Sequence, residues 1–353
     1  MALSISPHEH SRRRFLRQSF AFSALASMSS LSQLAEAQHP SSNAAEIVMI
    51  GDWGYENATA QTQVASGMRD FMHRFSLRPD ALLMLGDNWY GELSGGAHST
   101  RWQSQFESMY PVDAFNFPAY AILGNHDYQR WPDSKVDAEL EYAHLVQSDT
   151  GPTRWTMPSR WYRFELPAKN PLITFLALDS NMPHRNMGAE NGRDFTLTSQ
   201  QQAEQLQWLE AELKRERTTP FLIVMGHHPV YSDGPHGDHP VLVQDWDPLF
   251  RKYKVDMYLA GHDHDLQHLE FEGHPTSFFL SGGGGADLYD LKVDPGKRGP
   301  FAQKIYGFSV LSVKERDLTL KHLDASGRTL HAFKRDIDGQ ITILTSPRSG
   351  RNT

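Results

Sequence analysis

The sequence predicts an α/β fold, a sheet covered by helices, and three observations carry that prediction. Short apolar runs recur along the chain, each ending on a glycine or an acidic residue. Segments with helical spacing lie between them, and toward the C-terminus the pattern changes to alternation of polar and apolar residues. With 353 residues of ordinary composition, 39% hydrophobic and 22% charged, the chain has material for one large core, so one large domain is expected.

The first forty residues differ from the rest. Ser11-Arg12-Arg13-Arg14-Phe15-Leu16-Arg17 precedes a weakly apolar stretch from Phe20 to Leu34 and the small-x-small site Ala35-Glu36-Ala37. That order is a secretory leader, and the paired arginines before Phe-Leu point to the twin-arginine export machinery. The apolar stretch is too short and too polar to span a bilayer, so cleavage near Ala37 is expected to leave an exported product, periplasmic or secreted, without a stable membrane anchor. The twin-arginine route carries folded proteins. The predicted organisation is a leader over 1–37, a linker over 38–44, a catalytic domain over 45–335 and a C-terminal strand or tail over 336–353.

The strands follow in order. Ile47-Val48-Met49-Ile50 leads to Gly51-Asp52, Ala81 to Leu85 leads to Gly86-Asp87, and Tyr120 to Leu123 leads to Gly124-Asn125-His126-Asp127. Ile173 to Leu178 leads to Asp179, Phe221 to Met225 to Gly226-His227-His228, and Met257 to Ala260 to Gly261-His262-Asp263-His264. Continuous apolar runs of this length read as strands buried on both faces. Val64, Met68 and Phe71-Met72 predict a helix after the first strand. A second helix is predicted over 199–217, with Leu206, Leu209 and Leu213 on one face and Thr198 with Gln201 as its capping box. Alternation from Phe308 to Phe333, as in Leu318-Thr319-Leu320-Lys321, predicts antiparallel strands.

Composition narrows the chemistry. A net charge of −8 leaves no electrostatic footprint for nucleic acid. Removal of the leader takes away four arginines and two glutamates and makes the chain more acidic still. The absence of cysteine removes thiolate catalysis, Cys-ligated zinc and disulfides together.

Ligands of open α/β sheets gather at the carboxyl ends of strands. Here those ends carry Asp52, Asp87, Tyr90, Asn125, His227, His262 and His264, with His126 and His236 close to them in the sequence. A single aspartate after a strand is more often a turn or cap residue; the succession, each block opened by glycine, carries the metal reading. The glycines allow a sharp turn and a close approach of backbone to a ligand. Carboxylates, imidazoles, a carboxamide and a phenol suit iron, manganese or zinc. Seven donors are too many for one ion and fit two ions sharing a carboxylate, the arrangement that at a spacing of about 3.5–4 Å serves phosphoryl transfer. His262 and His264, two apart on an extended segment, would both face the site while Asp263 points away.

The five blocks Gly51-Asp52-Trp53-Gly54, Gly86-Asp87-Asn88-Trp89-Tyr90, Gly124-Asn125-His126-Asp127, Gly226-His227-His228-Pro229 and Gly261-His262-Asp263-His264 resemble the signature of the metallophosphoesterases, specifically the purple acid phosphatases of the small, tartrate-resistant type. The likeness runs from Ile47 to about Phe333. It implies a four-layer αββα sandwich of two mixed sheets flanked by helices. It also implies Asp87 as bridging ligand, Asp52, Tyr90 and His264 around Fe(III), and Asn125, His227 and His262 around a divalent ion, iron, zinc or manganese. His126 would contact phosphate and protonate the leaving alkoxide, a task that suits an imidazole, and His236 would be a second substrate histidine.

The implied activity is hydrolysis of small phosphate monoesters by metal-bound hydroxide. The alternatives are a phosphodiesterase or phospholipid-type hydrolase on the same scaffold, or a metal- or phosphate-binding protein without turnover, which would need one of the matched positions to be missing. His228 reads as a supporting residue and Asp179 as structural. Asp263 and Asp265 either orient the histidines or cap the next turn. The stretch Asn181 to Phe195, with Pro183, His184, Arg185 and Gly188, corresponds to a loop overhanging the site; Gly282 to Gly285 either lets backbone approach the phosphate or, the safer reading, is a flexible turn.

Overall fold

The computed structural model of the protein describes residues 44–129, 134–147, 151–182 and 196–345. The leader, most of the linker, the loop over 183–195 and the tail from 346 onward lie outside the described residues. Seventeen strands are present among the described residues. In chain order they are β1 (Ala44–Ile50), β2 (Ala81–Met84), β3 (Ala119–Ala121), β4 (Val146–Gln147), β5 (Gly151–Pro152), β6 (Trp155–Thr156), β7 (Tyr162–Leu166), β8 (Ile173–Ala177) and β9 (Phe221–Met225). β10 (Met257–Ala260), β11 (Leu266–Leu269), β12 (Ser277–Ser281), β13 (Phe301–Gln303), β14 (Gly307–Lys314), β15 (Asp317–Asp324), β16 (Thr329–Asp336) and β17 (Ile341–Thr345) complete the set.

They form two mixed sheets and a small β4–β5 pair. The first sheet runs β17-β16-β15-β14-β1-β2-β3-β6 and the second β13-β11-β12-β10-β9-β8-β7. In the first, β1, β2, β3 and β6 are parallel, and β14 to β17 continue antiparallel from β1. In the second, β8, β9, β10 and β12 are parallel, with antiparallel strands at both edges. The six apolar runs are all strands, but they divide: β1 to β3 belong to one sheet and β8 to β10 to the other. The alternating C-terminal segment is the antiparallel half of the first sheet.

Ile47, Leu83, Leu311 and Phe308 of the first sheet share one buried cluster with Ile223, Met225, Leu259 and Phe279 of the second. Each such side chain, removed from water, contributes about 1.5–3 kcal/mol. Helix α1 (Thr59–Arg74) buries Val64, Met68, Phe71 and Met72, as its spacing predicts. Between it and the second long helix lie the short α2 (Asn125–Tyr128) and α3 (Lys135–Tyr142). Helix α4 (Ser199–Lys214) opens on the Thr198–Gln201 capping box and buries Leu209 and Leu213, three residues shorter than expected. With α5 (Pro240–Asp245) and α6 (Asp247–Tyr253) it packs on the outer face of the second sheet, where Leu209, Leu242 and Phe250 meet Leu222, Val224 and Tyr258. The layers are those of an α/β metallophosphoesterase sandwich.

The run Gly282 to Gly285 is not a flexible turn. Gly51 N donates to Ser281 O at 2.8 Å, Gly284 N to Gly51 O at 3.1 Å and Gly307 N to Gly283 O at 2.9 Å, so the run ties the end of β12 to β1 and β14. A Cβ on Gly284 would lie 2.2 Å from Gly51 O. Glycine is there because two sheets meet backbone to backbone.

Candidate metal centre

All seven donors sit just past strand ends, where the two sheets converge. Asp52 follows β1, Asp87 and Tyr90 follow β2, and Asn125 opens α2 after β3; His227 follows β9, and His262 and His264 follow β10. Six of them are buried and Asn125 is half-buried.

Their contacts sort them into two groups. Tyr90 OH lies 3.2 Å from Asp52 Oδ1 and 3.0 Å from His264 Nε2, and His264 Nε2 is 3.5 Å from Asp52 Oδ1. Asn125 Oδ1 lies 3.1 Å from His227 Nε2 and 3.0 Å from His262 Nδ1, and the two imidazoles are 3.3 Å apart. Asp87 touches both. Its donor atom lies within 4.8 Å of those of Asp52 and His264, and its Oδ1 is 3.4 Å from His227 Nε2.

The backbone is bent to achieve this. Asp52, Asp87 and His262 adopt left-handed conformations, with φ of 58°, 52° and 71°. Such conformations are uncommon outside glycine, cost about 1–3 kcal/mol each and cluster at functional sites. His262 and His264 therefore do not alternate along an extended strand; residues 262 to 265 form a bend. Both imidazoles still enter the site and Asp263 turns away, but a left-handed residue does the work expected of the pleat. The neighbouring glycines leave room for the donors: a Cβ on Gly86 would lie 2.6 Å from His227 Nδ1, and one on Gly124 would lie 2.2 Å from Asp87 Oδ1.

The electrostatics call for positive charge. Burial disfavours the carboxylate on both aspartates; on Asp52 it prevails and the pKa rises well above the usual range, while on Asp87 it is outweighed by His227 and His126 and the pKa falls. Burial opposes charge on His227 as well, yet Asp87 and Asp52 overcome it and raise the imidazole to about 10. Two buried carboxylates facing imidazoles in this way favour positive charge between them, a proton or a cation. The outer nitrogens are already committed: His227 Nδ1 lies 2.9 Å from Leu85 O and His264 Nδ1 lies 2.6 Å from Asp287 O. A carbonyl only accepts, so in the neutral rings these nitrogens donate and both Nε2 lone pairs point inward, the orientation metal-bound histidines require. Carboxylates, phenol, carboxamide and inward lone pairs fit a pair of hard to borderline cations.

The family model for calcineurin-like phosphoesterases matches residues 45–266. The chain belongs to the calcineurin-like phosphoesterase family. It is 30% identical over 306 residues to tartrate-resistant acid phosphatase type 5 of Sus scrofa, covering 81% of this chain and 85% of that one. It is 29% identical over 316 residues to purple acid phosphatase 7 of Arabidopsis thaliana, covering 85% and 90%. Among solved structures, GAP50, the anchor in the inner membrane complex of Plasmodium, superposes with a TM-score of 0.68 at 19% identity over 86% of this chain and 90% of that one, a likeness of fold.

In this phosphoesterase the two histidines expected near substrate lie beside the donors. His126 N donates to Asp87 Oδ1 at 2.8 Å, its ring centroid is 4.1 Å from that of Tyr90, and its Nδ1 faces Gln129 Oε1 at 3.2 Å. The ring of His236 is 4.1 Å from that of His262, and its Nδ1 is 2.6 Å from Asp263 Oδ1. Asp263 thus orients His236, and Asp265 accepts from Gln267 at 2.9 Å. His228 is buried with Nδ1 2.9 Å from Ser180 Oγ. Asp179 accepts from Tyr128 OH and from Asn181 Nδ2, a structural role.

Sequence reasoning missed Tyr289, whose ring stacks on His264 at 4.0 Å and 14°. Its only signal is a position shortly after the glycine run. Among the described residues no helix is long and apolar enough to cross a membrane.

Proposed function

We propose that this phosphoesterase is an exported acid phosphatase that hydrolyses small phosphate monoesters at a binuclear centre of Fe(III) and a divalent iron, zinc or manganese ion. The observation that carries the proposal is the sorting of the seven donors into two groups joined by the Asp87 carboxylate. Asp52, Tyr90 and His264 would hold the ferric ion, and the phenol of Tyr90 favours that assignment. Asn125, His227 and His262 would hold the divalent ion. When bound, such a pair supplies Lewis acidity toward phosphoryl oxygens and an acidified water.

The chain's own groups do the rest. Asp263 and Gln129 each engage one nitrogen of His236 and His126, which leaves the Nε2 atoms for the ester. His126 would deliver the proton to the departing alkoxide, and His236 would steady a phosphoryl oxygen. The Ser11 to Arg17 leader supports export through the twin-arginine route.

One set of assays tests the reading. Turnover of p-nitrophenyl phosphate is expected to exceed that of its bis ester, to vanish on chelation, and to accompany a visible absorption band that Tyr90→Phe abolishes. Preference for the bis ester would make the enzyme a diesterase, and a colourless zinc-only protein would remove the ferric assignment.

A further inference from the structure

Tyr90 lies on an irregular loop, and irregular backbone needs partners for its carbonyls. Four consecutive carbonyls, those of Trp89, Tyr90, Gly91 and Glu92, are taken by two cations in alternation. Lys135 Nζ donates to Trp89 O at 2.8 Å and Gly91 O at 3.0 Å. Arg101 Nη1 donates to Tyr90 O at 2.7 Å and Glu92 O at 2.6 Å, and its Nη2 donates to Gly54 O at 2.8 Å. Gly54 O also accepts from Tyr90 N at 3.0 Å.

Lysine is almost never fully buried without a partner, yet Lys135 is 2% exposed. It comes from the first turn of α3, and burial lowers its pKa while Asp127 and Glu139 support its charge. Arg101 precedes the π-helical turn Trp102–Glu107, carries its guanidinium 5.2 Å from the centroid of Trp89, and fixes its Nε on Gln105 Oε1 at 2.6 Å. The amides of the same loop go to one carboxylate. Asp127 accepts from Asn88 N at 3.1 Å and Trp89 N at 2.8 Å, and from Gly124 N at 2.8 Å.

We infer that Lys135 and Arg101 are positioning residues that clamp the Tyr90 loop and so set where the phenol meets Asp52 and His264. The inference rests on Tyr90 serving as a metal ligand. Charge-assisted bonds to carbonyls are short and directional, which suits a phenol that must keep its place while a cation enters or leaves beside it. Without the clamp the loop retains its apolar anchors, Trp89 and Leu93, but loses the restraint on the residue between them.

The test is metal release to a chelator from protein reconstituted with iron and zinc, compared across wild type, Lys135→Met, Arg101→Gln, Tyr90→Phe and the two combinations with Tyr90→Phe. Either clamp variant is expected to release metal at least about tenfold faster than wild type, and to add less than about twofold once Tyr90→Phe is present. Equal acceleration in both backgrounds would mean general loosening of the fold and overturn the inference; so would no acceleration in either folded variant. If Tyr90→Phe alone leaves release unchanged, the ligand role of Tyr90 fails first and the clamp with it, an outcome distinct from both. Arg101→Gln keeps the test open should the buried Lys135→Met chain fail to fold.

Discussion

His262 and His264 are separated by a single residue and reach different partners, the first Asn125 and His227, the second Tyr90 and Asp52. Replacing His262 with alanine is therefore expected to cost the divalent ion, and replacing His264 to cost the ferric ion and the colour, as metal analysis and absorbance will read. Loss of the same metal from both variants would refute the division. Gly86→Ala places a methyl 2.6 Å from His227 Nδ1 at a φ of +86°. Gly237→Ala, at +67° with open space around it, meets only the backbone cost of about 1–2 kcal/mol. Both should lower the melting temperature, but only Gly86→Ala should lose metal; equal metal content in the two would sink that reading. The convergence of the seven candidate donors was legible in the sequence because chemistry-bearing residues follow turn glycines at strand ends. The left-handed backbone of Asp52 and the stack of Tyr289 on His264 were not, since neither leaves a local pattern.

At the scale of elements, α4 illustrates a boundary written in its own residues. Thr198 Oγ1 accepts from Gln201 N at 3.2 Å, and Gln201 Oε1 accepts from Thr198 N at 3.0 Å. Thr198→Ala is expected to remove about 1 kcal/mol and to lower the melting temperature by no more than roughly 2–4 °C, with metal content unchanged; a larger fall, or metal loss, would show the helix start to be coupled to the site. Apolar runs identified β1, β2, β3, β8, β9 and β10, yet strands buried on both faces look alike whichever sheet they join. β7 escaped notice because Arg163 and Glu165 interrupt its apolar run at a sheet edge, and β12 because it begins and ends on serine.

At the scale of the molecule, three buried histidines lie between the sheets. His268 of β11 has Nδ1 2.8 Å from His331 Nε2 of β16 and Nε2 2.7 Å from Glu270 Oε1; His322 of β15 bonds Ser309 Oγ at 2.8 Å and Gln267 O at 3.0 Å. Phe279, Phe301 and Phe333 pack around them. Burial lowers His268 and His331 to about 3, and His322 well below its usual value. The unfolded imidazoles protonate near 6.5 and the folded ones do not, so stability is full above that pH and falls as pH drops toward 3. Burial raises Glu270 to about 7 against the Ser277 hydrogen bond and the charges of Arg335 and His274, and this offsets part of the histidine effect. The net direction is a loss of stability as pH falls below about 6.5. Melting temperatures between pH 7 and 4 should fall steeply in wild type and less steeply in His331→Gln; parallel curves would exclude the cluster as the cause.

The sheets bring three donors each to the centre: Asp52, Asp87 and Asn125 on one side and His227, His262 and His264 on the other, with Tyr90 added to the first. The centre is thus a gauge of the seam between them. A sliding of one sheet against the other by a fraction of an ångström alters donor spacings across the seam while leaving each sheet internally intact. Packing at Phe308 or Phe279 between the sheets therefore belongs to the calibration of the proposed metal pair.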